Sequence, residues 1–165
     1  MIDSTLTQDF KNTDCEKNWV YLDFNNQTSI VYQWNPLQIC IIDDENNKIS
    51  IIETKILPKI FDFARGSSSG FNYVNSSNQN EIWFVVHIVS YEKPRHYYHM
   101  ISVFDEKMNI LRYSAPFKFE GDNIEYCLSI VVENDRVLIN YSTMDRSTKI
   151  GVYDKKYIDS LLIYL

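Results

Sequence analysis

Three stretches of the chain read alike: Ser29-Ile-Val-Tyr-Gln-Trp34, Ile82-Trp-Phe-Val-Val-His87 and Arg136-Val-Leu-Ile-Asn-Tyr141. Each is an apolar run that ends at a ring-bearing residue, and the step between them is about fifty-four residues. A second set follows the first: Gln38 to Asp43, His99 to Asp105 and Thr148 to Asp154. Its last two members share the endings Val103-Phe104-Asp105 and Val152-Tyr153-Asp154. Short runs rich in Val, Ile, Tyr, Phe and Trp are strand material. Between them stand Asn25-Asn26, Asn46-Asn47 and Ser76-Ser77-Asn78, and Asn tolerates the left-handed backbone of tight turns. Helical periodicity is nearly absent. Tyr157 to Leu165 is the one segment that suits a short helix, and it suits a terminal strand as well.

Each unit then reads as an inner strand, a central apolar strand, a third strand ending in Asp, and an outer strand such as Ile49 to Glu53 or Ile110 to Tyr113. That pattern predicts an all-β protein of β-propeller type, with about three four-stranded antiparallel blades. A sandwich is the alternative, but sandwich strands rarely repeat one signature at a fixed step. The blades fall at approximately 15–63, 64–120 and 121–165, behind a polar N-terminal segment of residues 1–14. Three blades do not readily close a ring, so apolar flanks are expected on the first and third units. Self-association, or a partner chain completing the propeller, would cover them.

At 165 residues, 45% hydrophobic and 15% aromatic, the chain suits a single folded domain. A net charge of −6 argues against nucleic acid, whose phosphates need a basic face. The longest apolar runs, such as Ile82 to Ile88, fall well short of the roughly 20 residues that cross a bilayer. The first fourteen residues lack the pattern of a secretory signal, so cytoplasmic residence is the default expectation. Cys15, Cys40 and Cys127 are odd in number and show no CxxC spacing, which reads as reduced core thiols rather than a metal or redox site. His96 and His99, with His87, do not make a zinc set, because strand residues three apart point to opposite faces. Arg65-Gly66-Ser67-Ser68-Ser69-Gly70 precedes neither a helix nor a Lys-Ser/Thr pair, so close backbone approach explains its glycines better than a phosphate cradle. No cofactor is expected.

The stretches Glu16-Lys17-Asn18-Trp19, Arg65-Gly66-Ser67-Ser68, Tyr97-Tyr98-His99 and Ile124-Glu125-Tyr126 fall at corresponding places in successive units, followed by Asn140-Tyr141-Ser142 and Asp145. Together they resemble the five-bladed propellers related to mannoside phosphorylases and mannosidases, over roughly residues 15–155. Similar modules are attached to glycosyltransferases and occur in large DNA viruses, which would make a virion location an alternative to the cytoplasm. The resemblance implies a partial five-bladed propeller with an axial pocket for a glycan or small sugar. Carried over residue by residue, it nominates Lys17, Asn18, Arg65, Ser67, His87, His99, Glu125, Tyr126 and Asp145. Planar Arg, charged Lys, amides and carboxylates all suit sugar hydroxyls.

The family's enzymes draw a general-acid Asp from a blade upstream of the Lys-Asn motif, and only fourteen residues precede Cys15. The expectation is therefore a carbohydrate-binding module, non-catalytic or degenerate, linked to glycan synthesis or modification. An active glycoside hydrolase, phosphorylase or glycosyltransferase is one alternative, and a structural or protein-interaction module another. Glu125 and Asp145 admit two readings: a paired acid and base, or a carboxylate bonding nearby backbone amides beside a turn residue.

Overall fold

The three repeated stretches become the central strands of three antiparallel sheets in a computed structural model that describes residues 5–11 and 16–164. The first sheet is a four-stranded meander of β1 (Val20–Phe24), β2 (Gln27–Trp34), β3 (Leu37–Asp43) and β4 (Lys48–Lys55). A 3-10 turn, Lys59–Phe63, leads to the second sheet, made of β5 (Ala64–Gly66), β6 (Phe71–Val74), β7 (Asn80–Ser90), β8 (His96–Asp105) and β9 (Ile110–Ser114). Both β5 and β6 pair with β7. The third sheet holds β10 (Glu125–Val132), β11 (Arg136–Thr143) and β12 (Ser147–Asp154).

The expected all-β, antiparallel character is what the chain adopts, and among the described residues the one α-helix, α1 (Lys155–Ser160), is short. Among the described residues the third sheet has three strands where the blade pattern asks for four, and none of the sheets closes on itself. Asp154 explains the missing strand. Its carboxylate accepts the Lys156 and Tyr157 N–H groups and caps α1, which turns the chain away from β12. The Lys155 N–H is held by the Asp135 carbonyl at 2.9 Å, and its ammonium by Asp159 one turn on at 2.7 Å. The chain then adds β13 (Leu162–Tyr164) to β9, at the edge of the second sheet. The C-terminal segment is thus a helix and a strand in succession.

β7 is apolar throughout its middle because both of its faces are buried. Ile82, Phe84 and Val86 meet the first sheet in a cluster with Val20, Leu22, Trp34, Phe61 and Phe104. Trp34 stands edge-on to Phe84 at 5.2 Å, and Phe84 to Phe104 at 5.7 Å. Trp83 and Val85 face the other way, toward Cys127, Ile130, Ile139 and Ile158 of the third sheet region. The second sheet is therefore packed between the other two.

Asn25 and Asn26 both have positive φ (54° and 59°), as do Met144 and Asp145 (53° each), which makes the β1–β2 and β11–β12 turns tight. Cys40 and Cys127 are buried free thiols, and burial pushes them up to about 11 and about 12; Cys15 lies outside the described residues. Among the described residues no helix is long and apolar enough to cross a membrane.

Candidate functional site

Gly66 sets the site. A Cβ there would stand 2.4 Å from the Asn18 carbonyl oxygen and 2.5 Å from Val20 Cγ1, so only glycine lets the chain before β1 lie against β5. Asn18 takes up positive φ (63°) at this crossing. The approach brings Lys17 and Asn18 beside Arg65 at the rim of a cleft of about 410 Å³. β2 and the turn after it add Gln33 and Asn35 to its wall, and the 3-10 turn adds Asp62. Trp34 lines it as well, and its indole Nε1 is buried with no hydrogen-bond partner among the described residues.

The polar groups of the cleft are held in part by one another. Lys11 Nζ donates to Gln33 Oε1 at 2.8 Å, and Asn35 Nδ2 donates to Asp62. Arg65 donates to the Tyr91 hydroxyl at 2.8 Å and lies over that ring, which Arg95 also approaches at 5.3 Å. The cleft carries three cations, Lys11, Lys17 and Arg65, against one carboxylate, Asp62, on a chain whose net charge is −6.

A second group adjoins it through the β5–β7 pairing, which sets Arg65 opposite His87. The Ser67 hydroxyl is 2.8 Å from His87 Nδ1. Tyr126 reaches across from β10 to donate to the Gly66 carbonyl at 3.4 Å, with its ring 5.1 Å from His87. Burial, with the positive charges of Arg65 and Lys17, pushes His87 down to about 4, so it is neutral at physiological pH. His99, opposite His87 in the β7–β8 register, is fully buried. Its Nε2 accepts the Cys127 N–H at 3.3 Å, and burial pushes it down to about 3.

Glu125 is fully buried, and its two oxygens accept three backbone N–H groups: Phe119 at 2.6 Å, Glu120 at 2.9 Å and Asp122 at 2.9 Å. It clamps the loop ahead of β10. Asp145 occupies the exposed β11–β12 turn. Of the nine expected residues, Lys17, Asn18 and Arg65 line the cleft, and Ser67, His87 and Tyr126 form the adjoining, partly buried group. His99 and Glu125 bond backbone amides, and Asp145 stands in its turn apart from both groups. Gln33, Asn35 and Asp62 were not nominated, and nothing in their spacing marks them. Among the described residues no three His, Cys, Asp or Glu side chains gather to hold a metal ion.

No family model, curated protein or solved structure matches the chain.

Proposed function

We propose that this chain is a carbohydrate-binding module of partial β-propeller type, with its sugar seated in the cleft between the first two sheets. The observation that carries the reading is the crossing at Gly66, which sets an ammonium, a planar guanidinium, amides and one carboxylate around a single cleft. A polyol needs that mixture of fixed donors and acceptors. The volume of about 410 Å³ lies in the range of about 300–1,000 Å³ common for small-molecule sites. Three sheets stacked face to face about a central one support the blade reading. The resemblance to mannoside-processing propellers makes mannose-type sugars the first to try.

Binding without turnover fits better than hydrolysis. Two-carboxylate glycoside chemistry needs an acid and a base across the scissile bond. Asp62 is the one carboxylate among the described lining residues, and both oxygens of Glu125 are committed to amides.

A glycan array of the purified chain, repeated with Arg65→Ala and Asn35→Ala and accompanied by circular dichroism of each variant, tests the reading. Saturable binding that both folded variants lose supports it. No binding, or binding unchanged in both variants, overturns it, and turnover of aryl mannosides would move the reading to an enzyme.

A further inference from the structure

One of the three cations of the cleft comes from outside the three sheets. Lys11 belongs to residues 5–11, a segment that lies against the outer cluster of the first sheet through Leu6 and Phe10. Away from the cleft, two backbone bonds tie the segment down: Thr7 donates to the Asn47 carbonyl and accepts from the Ile49 N–H. Asp9 adds an ion pair with Lys48 at 2.7 Å, both side chains exposed. Exposed pairs hold little, and a segment tied by a pair of half-buried apolar side chains and two backbone bonds is of the kind that opens first.

Gln8 joins those ties to the cleft. Its Oε1 accepts the Phe10 N–H at 3.0 Å and the Lys11 N–H at 2.8 Å, and its Nε2 donates to the Lys11 carbonyl. One side chain therefore grips both backbone polar groups of Lys11. From there the Lys11 ammonium stands 5.4 Å from the centre of the Tyr32 ring and donates to Gln33. An ammonium has three N–H donors, and among the described residues Gln33 is its one acceptor, so two remain for a bound molecule. Gln8, Thr7, Asn47 and Ile49 stand outside the described lining of the cleft.

We propose that residues 5–11 are a strap whose docking is coupled to filling of the cleft, with Gln8 as the positioning residue that holds Lys11 for the bound sugar. The proposal rests on the sugar-binding reading of the cleft. A sugar that takes a hydrogen bond from Lys11 binds the docked strap more tightly than the open one. By linkage it then tightens the strap's hold on the first sheet by the same factor. The cleft is thus tuned from the start of β4, through contacts that never touch the sugar.

The test is a calorimetric titration of the full chain with mannose, or with the best-bound sugar of the glycan array where that differs. It is run on the unaltered chain, Gln8→Ala, Lys11→Ala and the double variant, each with its circular dichroism checked. Lys11→Ala should weaken binding about tenfold, the worth of one charge-assisted hydrogen bond. Gln8→Ala should weaken it by at least about threefold, and should add nothing once Lys11 is gone. Hydrogen exchange of the Ile49 amide, which the Thr7 carbonyl holds, should slow when the sugar is present, and should not slow in Lys11→Ala. A sugar that binds the unaltered chain and Gln8→Ala alike overturns the strap and leaves the cleft reading standing. So does a Gln8→Ala loss that persists in full without Lys11, which would mean that Gln8 acts through Tyr32 or the fold, or an Ile49 amide indifferent to the sugar. A chain that binds no sugar overturns the cleft reading, and the strap falls with it.

Discussion

The first and third sheets both pack one face on the second sheet, and they differ in what becomes of the other face. On the first sheet, Ile30, Tyr32, Cys40 and Ile49 make an outer cluster that Leu6 and Phe10 cover. Thr7 anchors that cover by donating to the Asn47 carbonyl at 2.9 Å and accepting from the Ile49 N–H at 2.8 Å. On the third sheet the corresponding outer face shows Val131, Ile150 and Val152 to solvent. The same strand pattern therefore ends in a sealed face on one side and a sticky one on the other. The difference lies in the flanking segments: one folds back over its own sheet, the other is led off by the Asp154 cap to the second sheet.

Four changes would break or sharpen that contrast. The largest effect is expected for Glu125→Ala, which takes the buried carboxylate away from three backbone N–H donors at the entry to the third sheet. A loss of about 3–5 kcal/mol in a urea titration is expected, with hydrogen exchange rising in β10–β12 and little in β1–β4.

Acid should act next. His87 and His99 lie at the seam between the second and third sheets and are held down to about 4 and about 3, against an ordinary value of 6.5. Below pH 6.5 the unfolded chain takes up protons that the folded chain refuses, so stability is full above 6.5 and is lost as pH falls toward these folded values. At pH 5 the expected loss is on the order of 2 kcal/mol per histidine. Denaturant midpoints at pH 7.5 and 5 measure it, and His99→Gln should flatten the slope.

Phe10→Ala removes a ring that stands 5.0 Å from Tyr32 and uncovers the first sheet. A cost of about 1–2 kcal/mol is expected, together with new binding of a hydrophobic dye, as though the sealed face had been made like the bare one. The smallest effect on monomer stability is expected for Ile150→Thr, within about 0.5 kcal/mol by thermal unfolding, because its side chain is already in water.

β7 was the most legible strand because a strand buried on both faces is apolar at successive positions, whereas β11 alternates buried and half-buried residues and showed itself by its spacing from the other two. Asn25-Asn26 announced its turn because few other residues take that backbone. The three-stranded third sheet was not legible: Thr148 to Asp154 reads like His99 to Asp105, and a single carboxylate at a helix start decides where the chain goes next. Lys17, Asn18 and Arg65 of the cleft were legible as motif residues. Asp62, Gln33 and Asn35 were not, since a 3-10 turn and the end of β2 bring them there by tertiary packing alone.

The most direct test of the cleft as the binding site uses the three tryptophans as reporters. Trp34 lines the cleft with an indole N–H that has no partner among the described residues, whereas Trp83 is fully buried with its N–H bonded to Glu81 at 2.9 Å. Titrating the nitrogen-15-labelled chain with the sugar that binds best on the array should shift the Trp34 indole signal saturably and leave that of Trp83 in place, and in Arg65→Ala it should shift neither. A Trp34 signal that stays fixed while the sugar binds would contradict the account.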